Sequence, residues 1–527
     1  MNLAKALASV GGLTLASRVL GLARDSLFAR FVGAGFASDA FLIAFRLPNM
    51  FRALFAEGAF ASAFIPMFNK KVAEKDGPDG TGGLSAGIAF AEEALSVLLP
   101  VLIVMTVALE VLAWPVTLLL SGGFNDVTHD QFAFAVTLSR FTIPYLAFIS
   151  VVSLLGGILN SLSKFWVNAA APILLNLTLI VALLGFHTDD PLATARNQAI
   201  GVSVSGALQL AWLMWACRAN GVSMRLRMPV WNADVKQLLA LILPAAAGAG
   251  AVQINLLIST AIAASLLAHG SVTYIYMADR LNQLPLGLIG IGLGTVLLPT
   301  ISRQLGGGEE AAAMETQNRG LELALLLTLP ASVALIVCGE PIAAALFGYG
   351  KFDANDVART AEALAAFSIG LPSYILVKVL TPGYYARQDT KTPVRYATIS
   401  MVANLVGNLV LIVPLQHMGP PLATALASTL NVAMLYRTLV KRGHFTVDAR
   451  LKRRGPRLAL AAVAMGAALW FGQDLMMPYV HGTWLVRGIA LGVLVSAGCA
   501  VYGIAAVATG AFTRADLALL RRRKRAA

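Results

Sequence analysis

Long apolar runs separated by short polar connections dominate the chain. Residues 95–112, 169–184, 324–337, 458–470 and 489–507 carry almost no charge. A helix needs about 20 mostly apolar residues to cross the hydrocarbon core, and the weakly polar flanks of the shorter runs make up that length. Ten-residue segments of alternating polarity, which would signal a membrane β-barrel, are absent. The pattern predicts an all-α polytopic membrane protein of about 14 transmembrane helices. The expected spans are 6–33, 37–68, 84–114, 132–160, 166–186, 197–217, 237–268, 271–302, 319–338, 360–386, 394–415, 420–440, 457–478 and 484–509.

Composition agrees. Of 527 residues, 57% are hydrophobic and only 13% charged, with mean hydropathy +0.73. Soluble domains carry roughly 25% charged residues, so this chain has too little polar surface to coat a water-soluble globule. The net charge of +13 lies largely in connections between apolar runs, which points to membrane topology and not to nucleic acid. Lys70, Lys71 and Lys75 mark one connection; Arg218, Arg225, Arg227 and Lys236 another; Arg387, Lys391 and Arg395 a third. The densest run is 441–457, and the tail ends in five consecutive basic residues, 521–525. Basic and poor connections alternate if both termini are cytoplasmic. The segment 339–362 is the exception: it is assigned outside although it holds Lys351 and Arg359 beside Glu340, Asp353 and Asp356. A lesser reading gives the basic loops a role in holding anionic lipid head groups. No cleavable signal-peptide pattern is evident, because Arg18, Arg24 and Asp25 interrupt the first apolar stretch. The three cysteines, Cys217, Cys338 and Cys499, lack metal-ligand spacing and read as small apolar residues.

The chain also resembles itself. Ala44-Phe45-Arg46-Leu47 followed by Gly58 and Pro66 is matched by Ala278-Asp279-Arg280-Leu281 followed by Gly292 and Pro299. Phe141-Thr142-Ile143 with Ser163-Lys164 is matched by Phe367-Ser368-Ile369 with Thr390-Lys391. The implied organisation is two six-helix lobes, 1–220 and 234–440, then two further helices within 457–510 and a basic cytoplasmic tail, 511–527. An even number of spans per repeat gives parallel repeats with a substrate site between them, the arrangement of alternating access.

Ionisable residues inside the first two spans are the main chemical signal: Arg18, Arg24, Asp25, Arg30, Asp39, Arg46, Arg52 and Glu57. An arginine at a helix centre costs roughly 2.5–3.5 kcal/mol on insertion scales, so the set must face a wet cavity or partners. At about 1.5 Å per residue, Arg24, Arg46 and Arg280 lie roughly 15 Å below their outer turns, and Arg18 and Arg52 roughly 24–26 Å. Several guanidinium forks near the midplane suit a diphosphate, whose oxygens they match in pairs. Asp25, Asp39, Glu57 and Asp279 would hold or neutralise the arginines, or gate the cavity. The alternative is ion pairs that fix helix packing, with Arg24 or Arg46 on Asp39 and Asp25 on a neighbouring arginine. Arg30 would snorkel. Lys378 is a further cavity candidate or a counter-charge. Pro48-Asn49 is expected to interrupt the second span and Gly287, Gly290, Gly292 and Gly294 to soften the eighth, as a moving transporter or close helix packing would require. Asn404 and Asn408 read as polar packing before ion ligands. Asp189-Asp190 beside Pro191 reads as a turn. No metal site or cofactor is expected.

Ser17-Arg18-Val19-Leu20-Gly21, Ala23-Arg24-Asp25, Ser38-Asp39-Ala40-Phe41, Leu47-Pro48-Asn49, Arg52 and Phe55-Ala56-Glu57-Gly58-Ala59 together closely resemble the MurJ (MviN) family of lipid II flippases. Ala278-Asp279-Arg280-Leu281, Val377-Lys378-Val379-Leu380, Arg387-Gln388-Asp389 and Lys391-Thr392-Pro393 match the same family. The resemblance covers nearly the whole chain. It implies the fold of the multidrug/oligosaccharidyl-lipid/polysaccharide exporter superfamily, with a V-shaped central cavity and a groove on the last two helices for an undecaprenyl tail. It implies lipid II as substrate, a role in peptidoglycan synthesis, and an inner-membrane location. It assigns function to Arg18, Arg24, Arg52 and Arg280, includes Asp39 among the important acids, and favours a basic residue at Arg46. Gln283 departs from the pattern, because some relatives carry an acid there. The expected partners are lipid II, membrane lipids and transient contacts with cell-wall synthesis machinery, around a monomer. Coupling to an ion gradient or the membrane potential is expected without a residue to name for it. Rival readings are a drug or O-antigen-lipid exporter of the same superfamily, a polyprenyl-diphosphate enzyme and a passive channel. The enzyme would need clustered carboxylates or a nucleophile–base set, and no span holds a DxD pair or HExxH spacing.

Overall fold

The computed structural model describes residues 3–56, 59–74, 83–480 and 482–512, and among these the regular structure is helical throughout. Glu57 and the basic run 521–525 fall outside the described residues. Contacts group the chain into two compact units, Met1–Thr273 and Tyr274–Ala527.

In the first unit, α1 (Leu3–Val32) turns at Gly33, whose φ of 76° suits a residue without a Cβ, into α2 (Phe36–Ala56) and α3 (Ala59–Ala73). Then come α4 (Leu84–Val111), α5 (Ala113–Ser121), α6 (His129–Thr142), α7 (Tyr145–Ser161), α8 (Phe165–Gly185), α9 (Pro191–Ala219) and α10 (Ala233–Leu266). Polar residues set several starts. Thr128 and Gln131 form a capping box on α6, and Asp190 accepts from the Leu192 and Ala193 amides ahead of Pro191 on α9. The turn expected at Asp189-Asp190 is therefore a helix cap. Helix α1 lies on α8 and α9, α2 on α6, α7 and α9, and α10 on α2, α3 and α5. Fully buried Phe64, Phe68, Phe90 and Tyr145 fill the space between them.

The second unit takes up most of α11 (Ser271–Gly306), followed by α12 (Glu310–Val337), α13 (Gly339–Phe347), α14 (Ala354–Ile369), α15 (Leu371–Tyr385), α16 (Lys391–Leu415), α17 (Gly419–Lys441), α18 (Ala449–Val480) and α19 (Trp484–Ala508). Its core joins α11, α12, α15 and α17 through Ile301, Ala324, Ile375, Val379 and Leu439. Cys338, Met465, Leu469 and Leu494 seat α18 and α19 beside the end of α12.

The internal likeness recurs in the elements. Helices α4, α5, α6, α7 and α8 begin 225 or 226 residues before α12, α13, α14, α15 and α16 respectively. In both sets a long helix gives way at once to a nine-residue one, and the next span is broken in the middle. Eleven helices among the described residues are long and apolar enough to cross a membrane.

Several expected boundaries move. Residues 132–160 and 360–386 are each two helices, parted at Pro144 and at Gly370. At Gly370 a Cβ would fall 2.7 Å from the Ala425 Cα, so only glycine allows that approach. Helix α12 starts at Glu310 and not near 319, and α18 starts at Ala449, so most of the basic run 441–457 is helical and not loop. Pro48 does not break α2. A proline strips the carbonyl four residues earlier of its partner, and here that carbonyl, Ala44, accepts from the Thr142 hydroxyl at 2.8 Å. The lost bond is replaced from α6, and the helix continues.

Candidate functional site

In the first unit Arg24 is buried where α1 meets α8. Its Nε and Nη2 donate to Asp25 Oδ1 at 3.0 and 2.6 Å, and its Nη1 donates to Asn176 Oδ1 at 3.1 Å. Asn176 in turn donates to the Ser17 carbonyl at 3.0 Å. Asp25 is thus the arginine partner that the sequence suggests. The pairing of Arg24 or Arg46 with Asp39 is not what the structure holds. Asp39 instead accepts from the Gly270 amide at 2.7 Å, the Thr273 amide at 2.9 Å and the Thr273 hydroxyl at 2.6 Å. The reason is electrostatic and local. Unpaired amides at the start of α11 attract a carboxylate, and Arg24 already has a carboxylate on the adjacent residue.

The other arginines of this unit sit in more open surroundings. Arg46 is half-buried on α2, its Nη2 3.5 Å from the Leu256 carbonyl. Arg52 Nε donates to Asn49 Oδ1 at 3.1 Å, one turn back on the same helix. Arg18 is exposed on α1 beside Leu15 and Val19. Arg30 is exposed near the turn between α1 and α2, its guanidinium carbon 5.2 Å from the Phe31 ring centroid. The structure therefore brings Arg24, Asp25 and Asn176 together, and places Asp39 in a different cluster.

In the second unit Arg280 is half-buried on α11. It donates to the Tyr276 hydroxyl at 2.6 Å and lies over that ring, 4.7 Å from the centroid. The stacking holds the guanidinium by one face, and a guanidinium's forked N–H donors match carboxylate or phosphate oxygens in pairs. Asp279 accepts from Gln283 at 2.5 Å. The residue that departs from the family pattern is thus the one that binds this acid. Lys378 is exposed on α15 with its ammonium against Gly290 of α11, where a Cβ would come within 2.7 Å of it. Asn404 donates to the Thr424 hydroxyl at 3.0 Å, a bond that packs α16 on α17. Among the described residues no group of three or more His, Cys, Asp or Glu side chains could hold a metal ion.

Sequence reasoning missed three partners. Asn176 and Tyr276 are uncharged and gave no signal. Glu322 gave one: of the three acids in α12, Glu310, Glu315 and Glu322, it lies deepest along the helix, at the edge of its apolar stretch and opposite an excess of arginine. It pairs with Arg319, with Arg450 at 3.0 Å and with Arg454 at 2.6 Å, while Arg319 also reaches Asp448. This network ties the first turns of α18 to α12.

Comparison with known proteins places this geometry. Residues 28–490 match the family model described as lipid II flippase MurJ. A probable lipid II flippase MurJ of Rhizobium tropici is 40% identical over 99% of this chain and 96% of its own length. The lipid II flippase MurJ of Burkholderia cenocepacia is 38% identical over 84% of this chain and 85% of its own. Among solved structures, a lipid II flippase MurJ in an inward closed conformation shares the fold with a TM-score of 0.74 at 24% identity, over 94% of this chain and 97% of that one. An inward-facing multidrug resistance transporter of the MATE family, in the MOP superfamily, has a TM-score of 0.63 at 14% identity, over 81% and 94%.

Proposed function

This chain belongs to the lipid II flippase MurJ family, and from that premise we propose that it carries lipid II from the cytoplasmic to the periplasmic leaflet of the inner membrane for peptidoglycan synthesis. It is a multi-pass membrane transporter and not an enzyme. The observation that carries the reading is a set of arginines inside long helices with polar or aromatic partners: Arg24 on Asn176, Arg52 on Asn49 and Arg280 on Tyr276, the last two on helices long and apolar enough to cross a membrane. We assign the diphosphate to Arg18, Arg24, Arg46, Arg52 and Arg280 in a central cavity, with Asp25, Asp39, Glu57 and Asp279 as supporting acids and Lys378 as a further cation. A guanidinium keeps its charge at physiological pH and offers paired donors to phosphate oxygens. A head group must cross while its isoprenoid tail stays in lipid. Alternating access between the repeats 1–220 and 234–440, with 457–510 as the tail groove and 511–527 as the cytoplasmic tail, meets that demand.

Fourteen spans with both termini cytoplasmic complete the proposal. The eleven apolar spans omit α1 and α10 and treat α16 and α17 as a single stretch, Lys391–Lys441. The energy source is an ion gradient or the membrane potential, the protein works as a monomer, and its protein partners are transient contacts in the cell-wall machinery.

Translocation of lipid II by the purified protein in vesicles tests the reading, with membrane potential and ion gradients varied separately. Arg24→Ala and Arg280→Ala are expected to abolish transport with the protein still folded. Wild-type transport by both variants overturns the diphosphate site.

A further inference from the structure

The connection between α9 and α10 is an ordered strap with an apolar outer edge. Residues 222–232 form no helix, yet they are held along α4 by that helix's polar groups. The Arg225 amide donates to Glu92 Oε1 at 2.7 Å and the Val230 amide to Ser96 Oγ at 3.2 Å. Arg227 pairs with Glu92 Oε2 at 2.6 Å, and Asn232 donates to Glu93 Oε2 at 2.7 Å before capping α10. Arg227 turns back to α4, and its neighbours turn away: Leu226 is 75% exposed, Met228 84% and Trp231 61%. Large apolar side chains on a segment pinned in place are costly in water and favourable in lipid.

Two further observations identify the covering medium. The exposed apolar face of α4 resumes one turn beyond Ser96, at Val101, Ile103 and Val104, so the edge of the strap is continuous with surface that faces acyl chains. Beside the strap, Trp212 and Trp215 stack at 5.1 Å within the last turns of α9, and Trp166 meets Trp212 at 6.1 Å. Tryptophan concentrates at the head-group level, and that level is where the strap begins. Arg218, Arg225 and Lys236 add positive charge at the same rim.

We propose that residues 222–232 are an in-plane membrane anchor, with Leu226, Met228 and Trp231 inserted at the head-group–acyl boundary of an anionic cytoplasmic leaflet and the basic rim on its phosphates. The anchor would hold the α9–α10 connection at a fixed depth during transport. It does not depend on the identity of the transported lipid.

A nitroxide on Met228→Cys, in full-length protein with Cys217, Cys338 and Cys499 replaced, reports this depth in vesicles of phosphatidylethanolamine with phosphatidylglycerol. Collisions with dissolved oxygen are expected to exceed those with an aqueous nickel reagent by about threefold, as for a label below the phosphates. The label should lie shallower in vesicles of phosphatidylcholine alone. Equal depth in the two lipids overturns the anionic part of the proposal. Preferential nickel access in both overturns the anchor and makes the strap a water-facing surface, as a soluble protein partner would need. The chain with its native cysteines gives a second reading: brominated acyl chains should quench its fluorescence more than that of Trp231→Phe. Identical quenching of the two overturns the insertion of Trp231.

Discussion

Asp39 Oδ1 accepts both the backbone amide of Thr273, at 2.9 Å, and its hydroxyl, at 2.6 Å, while Oδ2 accepts the Gly270 amide at 2.7 Å. One carboxylate from α2 thus satisfies three donors around the start of α11. Asp39→Asn keeps one acceptor but turns an NH2 toward an amide donor. It should lower stability by about 1–3 kcal/mol, and Thr273→Val, which loses only the hydroxyl, by about 1 kcal/mol. Thermal unfolding of the two single variants and the double variant in detergent checks this. Strictly additive losses would break the link between the residues.

Asn176 holds Arg24 by accepting from its Nη1 at 3.1 Å. Asn176→Ala removes the bond from Arg24 to the Asn176 side chain on α8 while leaving Asp25 in place. The expected outcome is a loss of about 1–2 kcal/mol in stability together with reduced lipid II transport at low substrate and partial recovery at high substrate. Unchanged transport would place Arg24 in packing alone.

Glu322 is the shared partner of three arginines, and its side chain is 11% exposed. Glu322→Ala leaves those charges facing one another near the base of α18. Arg450 is 46% exposed and Arg319 29%, so solvent screens part of the network and breaking it costs about 1–3 kcal/mol. Proteolysis should then open the 441–457 segment faster. Protection equal to wild type would show that the network holds nothing.

Asp389 lies in the turn between α15 and α16, outside the spanning helices. Hydrogen bonding from Thr392 and then from Arg442, 2.6 Å away, draws its carboxyl down to about 2. A folded-state value below the unfolded one of about 4 makes this pairing stabilising above pH 4 and lost as the pH falls through about 2. Asp389 is 24% exposed and Arg442 42%, so screening holds the effect below about 1 kcal/mol. The Tm difference between wild type and Asp389→Asn should shrink as the pH falls from 6 to 3. A constant difference contradicts it.

Pro48 shows why some of the fold was illegible. A proline in a span reads as an interruption, but the outcome turned on whether another helix could reach the Ala44 carbonyl, and Thr142 is 98 residues away. Gly370 is the reverse case. Pro372, two residues on, does mark a helix start in the sequence, but the close approach of the Ala425 backbone comes from across the unit.

By itself the sequence determined that this chain is a helical membrane protein, which arginines enter its spans, that it repeats internally and which family it joins. These are properties of local composition and spacing, because a bilayer sorts residues by polarity one span at a time. Only the tertiary structure decided the partners: Arg24 with Asn176, Asp39 with Thr273, Glu322 with Arg454, and the strap on α4. A charge within a span must be matched by something. Which group matches it depends on helix packing that brings together residues more than a hundred positions apart.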